Sequence, residues 1–475
     1  MATAPPNMTF VGGVGTVTGS KTILDIGEGR ILVDCGLFQG RKHLRLQNWA
    51  PFPVPPESID AIVLTHAHLD HCGYIPRLSR FGFRGPVFCT EGTRRLAGIV
   101  LPDSGHLQEE EARYANRKGY SKHDPAEPVY TRADAIASLD LFETVSFDRP
   151  LTVISGLDAT WRRAGHILGA ATLKIDLSRA GISVVFSGDL GPPHHPLLLP
   201  PEPIGHSDVV VIESTYGDED HADLDPEDQI AVAIGHVVRR NGVLVIPAFA
   251  VDRTEVVIFY LDRLIASGRV PDLPVFVDSP MASSALEVYR EEARHGSPEL
   301  RPEHHGRELF ERLNLTEVRS VDQSKALNAR SGPMVIVSSS GMATGGRVIH
   351  HLAHRIGDPD NAVLLVGFQA PGTRGEALRS GVTNLKMLGQ YHPVRAPVFE
   401  VALSAHADQT ELLDWLGSAE SPWAVFVNHG EASAAQTLAE EIENRLGLNA
   451  AIPSNGERVR LDVPPTGSWR ADDRV

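Results

Sequence analysis

Apolar residues fall along this chain in two textures. From residue 8 to about 65, short β-branched runs such as "MTFVGG", "KTILDI" and "RILVDC" are cut by Gly-containing turns, and these predict strands. Residues 69–80 and 91–117 carry helical spacing, the second ending in the charged stretch "QEEEARYANRKGYSK" of a solvated helix face. Strand signals resume in "LTVISGLDATWRRAGHILGAATLKIDL" and "ISVVFSGDLG". From about 206 the pattern changes. Near-continuous Val, Ile and Leu runs ("DVVVIESTYG", "GVLVIPAFA", "PVFVDSP", "PMVIVSSSG") alternate with helical segments at 226–240, 252–267 and 281–295. Runs apolar on both faces predict buried parallel strands with helical crossovers. The turn-cut β pattern returns near 397 with "PVFEVALSAHAD" and "WAVFVNHGE".

This divides the chain into a first part of one domain (1–205), an inserted α/β domain (206–396) and the second part of the first domain (397–475). The Pro-rich stretches 191–205 and 391–398 serve as linkers, and 454–475 reads as a polar tail. A length of 475 residues agrees with two or three domains. No apolar run approaches the 18 or so residues of a membrane span, and "MATAPPNMTFVGG" has neither a basic leader nor an apolar signal core, so the expectation is a cytoplasmic protein with no membrane partner. Cys35, Cys72 and Cys89 follow no CxxC spacing and read as small buried residues. The net charge of -16 argues against a polyanionic partner for the molecule as a whole. A local site carrying divalent cations escapes that argument.

Such a site is written in "LTHAHLDHCG", residues 64–73, where His66, His68, Asp70 and His71 crowd into six positions. A hydrolytic zinc takes three protein ligands and keeps a position for water, so four ligands from one loop point to two metals. His66 and His68, two apart in an extended segment, face the same way and can share one metal. Asp70 and His71 come where the chain turns into a helix, and their side chains leave toward a second metal. Further candidates end neighbouring strands: His166 in "AGHILGA", Asp189 in "VVFSGDLG", where a carboxylate can bridge two cations, and Asp34 in "ILVDCGLFQG", a carboxylate suited to orienting a histidine.

Asp34, then His66-x-His68-x-Asp70-His71, His166 and Asp189, resembles the ordered ligand set of the metallo-β-lactamase superfamily. The resemblance implies an αββα sandwich with a dinuclear site at the strand ends: His66, His68 and His166 on one of two Zn²⁺, Asp70 and His71 on the other, Asp189 bridging. Glu213 in "VIESTYGD", His406 in "LSAHAD" and His429 in "VNHGE" match the three motifs of the β-CASP branch, whose members process nucleic acids. "IPAFAVDRTE", "VDSPMA", "SSSGMATGGR" and "GFQAPGTRG" also resemble it, so the likeness covers almost the whole chain. The inserted domain is then a β-CASP domain of mainly parallel sheet. A histidine at the position of His429 is implied to complete the second zinc and to favour RNA, since DNA-cleaving members generally carry Val there. No KH-type module is evident, so a plain bacterial form of the RNA-cleaving members fits better than the archaeal KH-bearing one.

The implied activity is a ribonuclease, endonucleolytic with 5′ exonuclease action open, acting on single-stranded RNA. Two metals about 3.5–4 Å apart hold a hydroxide and clamp a phosphodiester. His406 is the candidate acid for the leaving oxygen and Glu213 its orienting partner. Gly-rich loops present backbone N–H groups to phosphate, which makes Ser340, Gly341, Gly345, Gly346, Arg347 and Arg374 candidate RNA contacts, with Arg253 and Lys325 behind them. Two other readings compete: a hydrolase of a small ester, thioester or lactam, against which the domain-sized insertion speaks, and a non-catalytic RNA-binding member, against which the complete ligand set speaks. The sequence leaves a homo-oligomer open.

Overall fold

A computed structural model describes residues 5–462 except 120, 223, 368 and 371. The chain divides into two compact units. The first comprises the chain through His195, Leu199–Asp220 and the part from His406 on; the second comprises Pro196–Leu198 and His221–Ala405.

The first unit is built on two seven-stranded sheets. One runs in the order Arg458–Arg460, Asn7–Gly12, Lys21–Asp25, Arg30–Val33, Ala61–Val63, Val87–Thr90, Phe142–Val145. The other runs Ala450–Ala451, Ala424–Val427, Val209–Ile212, Ile182–Phe186, Ala171–Leu177, Leu157–Arg163, Leu151–Ile154. Alternation decides which face each strand buries. Leu157, Ala159 and Trp161 are fully buried while the residues between them are not, and with Leu173, Ile175 and Phe186 they meet Met8, Phe10, Leu24 and Ile31 of the opposite sheet in one core. Two sheets face to face with helices such as Glu91–Lys118 outside make the αββα sandwich. That helix starts on a Thr90 cap whose side chain accepts the Thr93 N–H, and it ends on the left-handed Gly119.

The second unit holds a six-stranded sheet, Leu315–Glu317, Val275–Val277, Met334–Ser338, Val243–Pro247, Ala362–Val366, Val398–Val401, parallel throughout. Strands such as "MVIVS" and "AVLLV" are buried at every position, as helices on both faces require. Helices Pro226–Arg240, Arg253–Ala266, Pro280–His295 and Val348–Arg355 supply crossovers.

Three expectations are corrected. The inserted unit begins at His221 rather than 206, because Val209–Ile212 pairs parallel with both Ile182–Phe186 and Ala424–Val427 inside the sandwich. It ends at Ala405 rather than 396, because Val398–Val401 pairs with Ala362–Val366. The stretch read as a polar tail contains Arg458–Arg460, an edge strand bonded antiparallel to Asn7–Thr9; the part from 463 on lies outside the described residues. Arg458 and Arg460 alternate outward around buried Val459, so the composition looks polar while the register is a strand's. Cys35, Cys72 and Cys89 are free and buried. No helix among the described residues is long and apolar enough to cross a membrane.

Candidate dinuclear metal centre

The site residues leave the C-terminal ends of strands. Ile182–Phe186, Val209–Ile212 and Ala424–Val427 are neighbours and parallel, so the segments that follow them, carrying Asp189, Glu213 and His429, emerge side by side. Arg30–Val33 and Ala61–Val63 are likewise parallel neighbours in the opposite sheet and deliver Asp34 and His66. Two close approaches need glycine. A Cβ on Gly36 would lie 1.6 Å from the Asp70 carbonyl oxygen, and one on Gly430 would lie 2.2 Å from Ser214 Oγ.

Ligand atoms gather in two groups, His66, His68, His166 and Asp189 in one and Asp70, His71 and His429 in the other, with the atoms of each group within 4.8 Å of one another. Asp189 faces both. Its Oδ2 is 3.4 Å from His66 Nε2 and 3.6 Å from His166 Nε2, while Oδ1 is 3.2 Å from His71 Nε2 and 3.7 Å from His429 Nε2. His429 Nε2 is also 3.9 Å from Asp70 Oδ2, and His68 Nδ1 is 3.0 Å from His166 Nε2. The helical turn Leu69–Cys72 separates the directions of the loop's two halves.

These donors fit cations. His66 Nε2, His71 Nε2 and Asp189 Oδ1 are buried with no hydrogen-bond partner, an arrangement that costs free energy unless something electropositive sits among them. Burial and the neighbouring His71 hold His66 well below the ordinary histidine range, and burial pushes His68 down to about 4, so both keep a lone pair free. Burial opposes ionisation of Asp189, but His429, His71 and His66 outweigh it and hold its carboxyl well below the usual range.

Outer contacts aim the imidazoles. Asp34, at φ +56°, lies beside Thr65, which donates its N–H at 2.8 Å and its hydroxyl at 2.9 Å to the carboxylate; His71 Nδ1 is 2.7 Å from the same carboxylate. Thr65 Oγ is also 3.0 Å from His66 Nδ1. Sequence reasoning missed Thr65, although its place before the first histidine of "THAHLDH" was the available signal.

Beside the first group, His406 Nδ1 is 3.2 and 3.1 Å from the two oxygens of buried Glu213 and 4.0 Å from Asp189 Oδ2. The Leu190 N–H donates to Glu213 at 2.7 Å and fixes it. His406 is partly exposed and its ring centroid is 4.5 Å from that of His166.

The Gly-rich candidates lie together in the second unit. Ser340 Oγ is 2.9 Å from Thr344 Oγ. Arg347 donates to Asp278 at 2.7 Å and to the Val318 and Arg319 carbonyls at 3.0 Å each; Arg374 donates to the carbonyls of Lys386 at 2.8 Å and Thr344 at 2.9 Å. Both guanidinium groups therefore brace the loop that carries Ser340, Gly341, Gly345 and Gly346. Arg253 is buried beside Asp252 at 3.3 Å, and Lys325 is exposed. Asp278 and His351, 2.6 Å apart and buried, were not singled out by sequence reasoning, which had no signal for that pair.

Residues 29–245 match the model of a beta-lactamase superfamily domain, 254–378 that of a Beta-Casp domain, and 391–453 that of a Zn-dependent metallo-hydrolase RNA specificity domain. The chain is 35% identical to "Ribonuclease TTHA0252" of Thermus thermophilus, over 94% of this chain and 98% of that one. It is 28% identical to an "RNase J-like protein" of Methanocaldococcus jannaschii over 94% and 98%, and 30% identical to "Transcription termination factor FttA" of Methanosarcina mazei over 96% and 71%. A crystal structure of a protein of unknown function from Enterococcus faecalis shares the fold at a TM-score of 0.53 and 16% identity, over 96% of this chain and 100% of that one.

Proposed function

The chain belongs to the β-CASP branch of the metallo-β-lactamase superfamily, and we propose that it is a zinc-dependent ribonuclease hydrolysing phosphodiester bonds of single-stranded RNA. The observation that carries this reading is Asp189, whose two oxygens are divided between two buried ligand groups with the His406–Glu213 pair alongside. Two zinc ions held there would polarise a phosphodiester and activate water for in-line attack.

The chain's own residues do the rest. His66, His68 and His166 would hold one ion and Asp70, His71 and His429 the other, with Asp189 between the two groups. Glu213 accepts the Nδ1–H of His406, and its negative charge offsets that of the doubly protonated ring, whose Nε2–H can donate to the departing oxygen. Asp34 holds His71 in the orientation that turns Nε2 inward. In the second unit, the backbone N–H groups of Ser340, Gly341, Gly345 and Gly346 and the Ser340 hydroxyl would meet phosphate, on a loop braced by Arg347 and Arg374. Cytoplasmic RNA processing or decay is the setting this activity suits.

The test is one defined RNA labelled at each end in turn, with a DNA of the same sequence alongside, incubated with protein of measured metal content. Close to two zinc ions per chain and cleavage of the RNA alone is the expected result, and the label pattern separates internal cutting from trimming at an end. Less than one ion per chain, with no RNA cleavage after zinc is restored, overturns the proposal.

A further inference from the structure

Metal-binding histidines hold their orientation through the ring nitrogen that faces away from the ion. His66 Nδ1 has Thr65 at 3.0 Å and His71 Nδ1 has Asp34 at 2.7 Å. His429 differs. Its Nε2 faces Asp70 and Asp189, so Nδ1 is its outer nitrogen, and that atom is buried with no hydrogen-bond partner. The preceding residue, Asn428, is 5% exposed; its Nδ2 donates to the Gly12 carbonyl at 3.4 Å, and its Oδ1 is buried without a partner.

Both side chains line one cavity of about 30 Å³ inside the first unit, together with Ser20, Thr22, Asp34 and Ser187. That volume exceeds the ~10–15 Å³ one water needs, and the polar groups share the lining with Val33, Phe186, Val211 and Ile212. With Nε2 directed at a cation, Nδ1 of His429 carries its proton and must donate, whereas Asn428 Oδ1 must accept. A cation would suit the oxygen and be repelled by the N–H, and an anion would do the reverse. Only a group that accepts from one and donates to the other satisfies both.

We propose that an ordered water in this cavity accepts the Nδ1 proton of His429 and donates to Oδ1 of Asn428, which makes Asn428 a positioning residue for the second metal site. The backbone already suits this. His429 sits at φ +49° with its N–H on the Gly13 carbonyl at 2.8 Å and its own carbonyl accepting from Ser214 at 3.1 Å, so only the ring rotation is left to be set. The inference rests on the metal reading above, because it assumes that Nε2 binds a cation.

A crystal structure of the zinc-loaded protein at better than about 2 Å is expected to show solvent density within about 3.2 Å of both His429 Nδ1 and Asn428 Oδ1. Release of zinc to excess chelator, followed by absorbance, tests the role. In Asn428→Ala one of the two zinc ions is expected to leave about 10–100-fold faster, with the other unchanged. Asn428→Asp keeps an acceptor oxygen at the position and is expected to restore slow release. Native-like release from Asn428→Ala, or a crystal structure in which a protein group bonds Nδ1, overturns the proposal. A native protein that never holds two ions overturns the metal reading instead, and the solvent density still decides whether the water is there.

Discussion

Nδ1 of His71 lies 2.7 Å from the carboxylate of Asp34, and this contact between residues 37 positions apart fixes which nitrogen of the ring faces Asp189. Asp34 is fixed in turn by the Thr65 N–H and hydroxyl. Asp34→Ala removes the acceptor and frees the ring. Zinc affinity at that site is expected to fall about 10–100-fold, read by competition with a chromophoric chelator, while total helix and strand content by circular dichroism stays native.

His406 and His429 have separate proposed roles. His406→Ala is expected to lower kcat on RNA by about 10²–10⁴-fold with both zinc ions retained. His429→Ala is expected to lose one ion per chain. Metal analysis of the two purified variants decides between this division and a common structural role, which would give both the same metal content.

In the metal-free protein, burial opposes protonation of His71, but the carboxylates of Asp189 and Asp34 outweigh burial and hold its pKa well above the ordinary value. A raised folded pKa means a stabilising contribution fully present below the unfolded value of about 6.5 and lost as pH rises through the folded value. A zinc ion bound at Nε2 of His71 would displace that proton. Calorimetric titration of zinc at pH 7 in buffers of different ionisation enthalpy is expected to report proton release, with apparent affinity falling as pH is lowered. Buffer-independent heats would contradict this.

Trp161 is fully buried between the two sheets, and its indole N–H donates at 3.0 Å to the carbonyl of Leu64, two residues before His66. Trp161→Phe keeps most of the packing and orphans that carbonyl, an expected cost of about 1–3 kcal/mol. Trp161→Ala adds a cavity, for about 3–5 kcal/mol. Urea denaturation followed by circular dichroism orders the two variants.

Burial raises the pKa of Asp278, but hydrogen bonds from His351, Ser324 and Arg347 outweigh it and hold the carboxyl below its usual range. Its contribution is therefore present above the unfolded value of about 3.9 and lost as pH falls below that. Asp278→Asn is expected to weaken amide-exchange protection in Met334–Ser338 and to free Arg347, raising KM for RNA more than it lowers kcat.

Much of this protein was legible in the order of its residues. The change from turn-cut β runs to buried Val, Ile and Leu runs marked the inserted parallel-sheet domain, and "HAHLDH" on a strand end marked a candidate metal loop, because side-chain direction in a strand and ligand count at zinc are local matters. What local pattern cannot carry is which strands lie side by side. Val209–Ile212 carries the same apolar run as the strands of the second unit, yet it pairs between Ile182–Phe186 and Ala424–Val427, and that pairing moved the domain boundary to 221. The same pairing brings Asp189, Glu213 and His429 together across 240 residues. The Thr65–Asp34 contact and the Asp278–His351 pair join residues distant in the chain, and a hydrogen bond depends on atoms about 3 Å apart in space and leaves no period in sequence.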